Sequence, residues 1–292
     1  MSRRATFFGL LAILLWSSLA VLTTSSGSMP AFQLTAVTFA IGGSCGLGLL
    51  ARRGELHVLR QKPRVWALGV GGLFSYHALY FAALRSAPPA EAGLVNYLWP
   101  LLIVLFSALL PGERLTLRHV LGALLGFAGL LVLFAGSGTG LAGSALVPGY
   151  GLALAAAFVW AGYSVLSRRF AEVPSGVVAG FCLATSMLAA VAHLGLEATH
   201  WPASLAEWAA IGLLGLGPVG LAFFLWDRGM KQGDIRLLGV LSYAAPVLST
   251  LWLVLAGQAE PSWALAGACG LIVLGGAIAS GMGRGRRAAV RT

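Results

Sequence analysis

The side chains in this sequence that can do chemistry away from water gather within long apolar runs. His77 lies near the middle of one run, and Tyr76 and Tyr80 flank it, so all three share one broad face of a helix. Asn96 and Trp99 are three apart in the next run, only about 60° from each other around a helix. Trp16 and Trp160 also fall mid-run. Tryptophans usually collect at the membrane interfaces, where Trp66, Trp201, Trp208 and Trp263 fall here. Tyr163 shares the face of Trp160, and Ser242 takes the place of Asn96 in a repeat described below. The chemistry this set offers is recognition. Hydroxyl, amide and imidazole groups can hydrogen-bond an ammonium or a carboxylate, while ring faces stack on a ligand ring or attract a cation. Trp16, Tyr76, His77, Tyr80, Asn96, Trp99, Trp160, Tyr163 and Ser242 are therefore predicted to surround a central cavity that binds a small-molecule substrate, with Tyr97 and Tyr243 as a second tier. Helix packing explains any one of these residues alone; the aromatics gathered at the depth of His77 favour a cavity.

No Asp or Glu falls in the middle of a run; all 9 lie at run ends or between runs. An intramembrane proton relay or a counter-charge for a cationic substrate is therefore not expected. Lys and Arg are missing from the same depth, so a phosphorylated substrate would find no neutralising partner. A neutral or zwitterionic substrate remains. If such a site carries its ligand across the membrane, the lack of buried carboxylates leans toward facilitated diffusion or a weak proton link without deciding between them, with His77 as the one obvious titrating group. An intramembrane enzyme using His77 as a base would lack the carboxylate, metal-ligand pair or nucleophilic serine its site needs, so no catalytic, cofactor or metal residues are assigned. Cys45, Cys182 and Cys269 sit in separate runs without CxxC spacing and read as small core fillers.

The elements that must position these residues are membrane helices. About 20 apolar residues cross about 30 Å of hydrocarbon, and ten such spans are read at 6–25, 30–51, 65–84, 89–110, 119–135, 149–167, 175–194, 205–226, 237–256 and 261–282. The first span follows Arg3-Arg4 but is longer than the h-region of a signal peptide, and it has an internal counterpart. With 58% hydrophobic and 10% charged residues, the chain departs from soluble domains, which carry about 25% charged. All but one of the 19 Lys and Arg residues fall in alternate inter-span segments that include both termini; Arg85 alone lies opposite. Positive charge resists translocation, so both termini are expected to be cytoplasmic. The net charge of +10 is thus explained without a nucleic-acid partner, and the basic tail at 284–292 is expected to touch anionic lipid headgroups.

The chain also matches itself at a shift of about 145 residues. Asn96-Tyr97-Leu98-Trp99-Pro100 aligns with Ser242-Tyr243-Ala244-Ala245-Pro246, Leu15-Trp16-Ser17 with Val159-Trp160-Ala161, and Gly112-Glu113 followed by Gly122 with Gly257-Gln258 followed by Gly267. Five spans per half is an odd number, so the halves enter the bilayer from opposite faces as an inverted repeat, an arrangement that places substrate near the midplane. The predicted organisation is a five-helix repeat at 1–137, an uncharged Gly/Ser-rich join at 138–148, an inverted second repeat at 149–283 and a basic tail at 284–292. Pro100 and Pro246 each free a backbone carbonyl near the midplane, which kinks the helix or binds a polar group. Gly69, Gly71 and Gly72 in span three and Gly212, Gly215, Gly217, Pro218 and Gly220 in span eight are expected to soften equivalent places, so Gly72 and Pro218 mark the predicted gates. Gly42-x-x-x-Gly46 and Gly122-x-x-x-Gly126 should allow close helix approach.

On these marks the chain resembles the drug/metabolite transporter superfamily, in its ten-span branch built from two EamA repeats. The marks are Trp16 and Trp160, Ala83-Leu84-Arg85-Ser86 at the end of span three, the Pro100 and Pro246 spans, and Gly112-Glu113. Within that group it is most similar to YddG-type exporters of aromatic amino acids. Gln258 stands where symmetry with Glu113 calls for an acid. The resemblance implies an all-α polytopic protein of the bacterial inner membrane that exports aromatic and other amino acids or related metabolites by alternating access. Purines, sugars and drugs are the alternative cargo classes. Ten spans suffice to enclose a pathway, so a monomer is expected.

Overall fold

The computed structural model describes residues 2–112, 115–136, 148–255, 257 and 260–280. Glu113, Gln258, most of the Gly/Ser-rich join and the basic tail lie outside the described residues. Every regular element among those described is helical, and 9 helices are long and apolar enough to cross a membrane. They are spans one (Arg3–Thr24), two (Ala31–Arg52), three (Pro63–Ser86), five (Leu117–Ala135), six (Pro148–Phe170), seven (Ser175–Leu196), eight (Leu205–Gln232), nine (Ile235–Leu255) and ten (Trp263–Ser280). Span four is made of two shorter helices, Pro89–Asn96 and Trp99–Ser107.

The break in span four follows from Pro100, which has no amide hydrogen for the carbonyl of Asn96, four residues back. Span nine breaks at the matching place: its helices Ile235–Leu241 and Ala244–Leu255 are separated at Ser242, four residues before Pro246. Span eight is interrupted by a π-helical turn over Gly217–Leu221 that contains Pro218, a common response to a proline inside an apolar helix. Span three, by contrast, is unbroken. Its Gly72 takes the ring of Tyr163, where an added Cβ would lie 2.7 Å away, so this glycine serves close packing and makes no visible bend.

Span five packs along span ten, two along seven, three along six, one along eight, and four against nine. Small residues permit the closest approaches. A Cβ on Gly42 would stand 2.6 Å from the Cα of Gly220, so spans two and eight meet backbone to backbone. Gly122 does the same against Gly275 of span ten, with 2.7 Å to its carbonyl.

Span eight runs past residue 226, where hydropathy alone ends it, and encloses a buried carboxylate. Asp227 is paired at 2.8 Å with Lys231 one turn later. The Lys231 ammonium also donates to the Val173 carbonyl at 3.0 Å, and the Arg168 guanidinium donates to the carbonyls of Met230 and Gly233 at 3.0 and 2.8 Å. Hydropathy ends a span at its first charge; here each charge is answered locally and the helix continues.

At the opposite end of the bundle, Glu197 ties three spans together. Its carboxylate accepts from the Phe32 amide at 3.1 Å and the Gln33 amide at 3.2 Å, where the first turn of span two leaves amides free. Arg85, the lone Lys or Arg on this face among the described residues, meets it at 2.5 Å from the end of span three, and His193 Nδ1 of span seven lies 3.1 Å away. Burial pushes this carboxyl up, but the Phe32 amide, His193, the Gln33 amide and the Arg85 guanidinium together outweigh burial, and the net is a carboxyl held below the ordinary glutamate range. A depressed carboxyl contributes its stability above the ordinary pKa and loses it as pH falls through the lower folded value. Glu197→Gln should therefore cost about 1–2 kcal/mol near neutral pH, read as a lower thermal unfolding midpoint of the purified protein. The gap to wild type should close only in the acid range below about pH 4; a gap that persists there contradicts the assignment.

Candidate functional site

A cavity of about 570 Å³ lies between spans one, two, three, four, six, eight and nine. Its deep end is walled by Trp16, Trp99, Trp160 and Phe223, and its lining continues outward along Leu19, Ala20 and Thr23 of span one, Met29, Ala31 and Leu34 near the start of span two, and Phe81 and Leu84 near the end of span three. Every lining residue thus falls near the midpoint of its span or on the side where Arg85 lies. The cavity belongs to that half of the bundle; on the side carrying the other cations Trp226, Met230 and Ile235 are each at most 1% exposed and form a buried cluster.

The floor is a nest of indole rings. Trp16 approaches Trp160 edge-on with centroids 5.6 Å apart and Trp226 at 5.0 Å. Trp99 meets Trp16 and Trp160 edge-on at 6.5 and 6.3 Å. Such arrangements align positive ring edges with negative faces. Two N–H groups fix the nest: Trp16 Nε1 donates to the Pro218 carbonyl at 3.0 Å, and Trp226 Nε1 donates to Ser164 Oγ at 3.0 Å. Pro218 therefore supplies a carbonyl at the interrupted turn of span eight and also lines the cavity.

The side wall comes from span three. Tyr76 lies 5.1 Å from Trp160 and 6.0 Å from Tyr80, nearly parallel to the latter. Its Oη accepts from Asn96 Nδ2 at 3.1 Å, linking spans three and four. His77 Nδ1 lies 2.7 Å from the Leu73 carbonyl. That oxygen can only accept, so Nδ1 carries the ring proton. Facing His77 are Phe39 at 5.1 Å and Phe223 at 6.3 Å. None of the lining residues is Asp, Glu, Lys or Arg, and no group of three or more metal-ligating residues occurs among the described residues.

Of the residues singled out by sequence, Trp16, Tyr76, His77, Tyr80, Asn96, Trp99, Trp160, Tyr97 and Pro218 come together on this cavity. Tyr163, Ser242, Tyr243, Pro100, Pro246 and Gly72 lie outside its lining. Tyr163 sits behind Trp160, ring centroids 5.4 Å apart, because its face of span six turns toward Gly72. Ser242 is fully buried and donates to the Leu238 carbonyl at 2.7 Å. Tyr243 packs on Phe127 in a separate apolar cluster with span ten, and Pro100 lies against Gly239 of span nine. The missed lining residues include Thr35, Thr38 and Phe39 of span two, Phe223 of span eight, and smaller or aliphatic residues nearer the mouth such as Thr23, Met29 and Ser249. Thr35, Thr38 and Phe39 share a helical face by spacing, a signal that was present; Phe223 carries none that separates it from the other 13 of 14 phenylalanines.

The EamA-like transporter family matches residues 3–135 and again 147–281. The chain is similar to the aromatic amino acid exporter YddG of Ancylobacter novellus, with 61% identity covering 96% of this chain and 98% of that one. It is 31% identical to the Salmonella typhimurium exporter of the same name, over 85% of this chain and 87% of that one. A solved crystal structure at 58% identity superimposes with a TM-score of 0.91, covering 97% of this chain and 99% of the other.

The buried bond beneath the floor can be tested by stability alone. Trp226→Phe leaves Ser164 Oγ without its donor and should cost about 1–3 kcal/mol, lowering the thermal midpoint by several degrees. Trp201→Phe, in a stacked pair where Trp201 is 64% exposed, should leave the midpoint nearly unchanged. Equal effects would contradict the role given to Trp226.

Proposed function

Because this chain belongs to the EamA-like transporter family, we propose that it exports aromatic and other amino acids, or related small metabolites, across a bacterial inner membrane by alternating access. The observation that carries this reading is the uncharged, aromatic-walled cavity of about 570 Å³, a size suited to one small ligand. Zwitterions fit such a site better than phosphorylated or multiply charged compounds, which would need fixed charges in the wall. The exporters of aromatic amino acids to which the chain is similar support the same cargo class.

Both termini are cytoplasmic in this proposal, so the cavity opens to the exterior and the packed half forms the inner seal. The seal consists of Trp226 with Ser164, Asp227 with Lys231, and Arg168 on the end of span eight. Access from inside requires span eight to part from span six there, with the interrupted turn at Gly217–Leu221 as a natural hinge. The repeats are 1–137 and 149–283, joined through 138–148 and followed by a basic tail at 284–292. Their inverted relation is supported by the pairing of spans two with seven, four with nine and five with ten, each the counterpart of the other, and by the matched breaks of spans four and nine. The working unit is a monomer, and its action is non-enzymatic. No carboxylate lines the cavity, which supports facilitated transport over proton exchange.

The protein in liposomes should take up labelled tryptophan and phenylalanine with little change when a pH gradient is imposed. Trp99→Ala and His77→Ala should each reduce uptake by about two- to ten-fold at matched protein levels, the range expected from losing one ring or hydrogen-bond contact. Competition by purines or sugars as strong as that by tryptophan would favour those cargo classes, and unchanged uptake in both variants would remove the two residues from the site.

A further inference from the structure

We infer that the start of span one and the end of span eight together form a binding site for the phosphate of an anionic phospholipid headgroup. Arg4 and Phe8 are four residues apart and share a face of span one, and Arg228 reaches the same ring from span eight. The Arg4 guanidinium lies 5.7 Å and the Arg228 guanidinium 5.2 Å from the Phe8 ring centroid. Two like charges thus meet on one ring. The backbone enforces the meeting, because a Cβ on Gly229 would stand 2.8 Å from the Cα of Gly9, and Phe8 and Arg228 directly precede these two glycines. The Ser2 amide also donates to the Gln232 carbonyl, and the Asp234 amide to Thr6 Oγ1, both at 2.9 Å. Spans one and eight cannot part here without breaking these ties.

Other cations around the end of span eight are answered within the protein. Lys231 pairs with Asp227, Arg236 lies 3.8 Å from Asp234, and Arg168 donates to two carbonyls. Among the described residues, neither Arg4 nor Arg228 meets a carboxylate. A ring face attracts a cation but carries no net charge, so the repulsion between the two guanidiniums lasts until an anion joins them. A phosphate suits the forked donors of both.

The surroundings favour a lipid as the source of that phosphate. Both arginines are exposed, and the helices that carry them turn apolar side chains outward on the way to the membrane centre. Phe7 and Leu14, on the stripe of span one that begins at Arg4, are 56% and 46% exposed, and Leu221, seven residues before Arg228 on span eight, is 52% exposed. A headgroup held by the guanidiniums would lay its acyl chains along this surface. Free phosphate would gain the charges and leave the apolar surface uncovered. The inference is independent of what the cavity carries; the proposed orientation of the chain decides only that the lipid belongs to the cytoplasmic leaflet.

Native mass spectrometry of the full-length protein in detergent, titrated with phosphatidylglycerol or with phosphatidylcholine of the same acyl chains, reads the site directly. Wild type should bind phosphatidylglycerol at least about ten-fold more tightly, the order expected for two arginines beside an anionic headgroup. Arg4→Gln combined with Arg228→Gln should abolish that preference, whereas Arg4→Lys with Arg228→Lys, which keeps both charges, should hold it within about three-fold. Arg60→Gln with Arg64→Gln removes as much charge from exposed positions on the same side of the chain and should leave the preference unchanged. A preference that survives the first pair of substitutions, or falls equally in all three variants, overturns the inference. Inorganic phosphate that displaces phosphatidylglycerol at equal concentration also overturns it, since the site would then be one for free anions. None of these results bears on the cargo reading, which stands or falls with uptake.

Discussion

The arrangement depends on one contact, the hydrogen bond from the Trp16 indole to the Pro218 carbonyl at the interrupted turn of span eight. In hydrocarbon an indole N–H must find an acceptor, and the Pro218 carbonyl supplies it at mid-membrane. The bond fixes the plane of Trp16, which in turn sets the edge-on contacts to Trp99 and Trp160 and the approach to Trp226. The resulting floor bounds the cavity on the side away from Arg85.

The two halves solve the problem of buried charge differently. On the cavity side, Arg85 and Glu197 are drawn to the rim, where Glu197 also caps span two. On the sealed side, Asp227 and Lys231 are buried within the helix, with Arg168 holding the helix end. Charge is thereby kept out of the cavity lining, which leaves recognition to ring faces, hydroxyls and one imidazole. In the proposed cycle the buried pair on the sealed side must separate from its loop contacts before the floor can open, so that seal and cavity are coupled through Trp226, which packs on the lining residues Trp16 and Trp99 from the sealed side.

Much of this was legible in the sequence because a membrane imposes strong rules. The ten apolar runs and the segregation of Lys and Arg define the helices within a few residues, and polar or aromatic residues mid-span point inward since lipid offers them no partner. That reasoning locates Trp16, Tyr76, His77, Tyr80, Asn96, Trp99 and Trp160 on the cavity. It fails where helix rotation or local charge pairing decides. Tyr163 has the right depth and face for its neighbour Trp160 but is turned into Gly72, a contact no periodicity specifies. Ser242 matches Asn96 in the repeat, yet its short side chain bonds its own helix at Leu238. Asp227 looked like the end of a span because hydropathy cannot see that Lys231 answers it. Phe223 is one apolar residue among many, and only the tertiary packing puts it opposite His77.

The central claim is a floor of tryptophans with water on one side of it. Single cysteines placed at Ser249, on the cavity wall, and at Ser164, below the floor, in a background with Cys45, Cys182 and Cys269 replaced, can be labelled in intact cells by a membrane-impermeant maleimide. Labelling at position 249 from the exterior with position 164 protected is the expected result. Exterior labelling at 164 as fast as at 249, or labelling of 249 from the cytoplasmic side alone, would contradict the account.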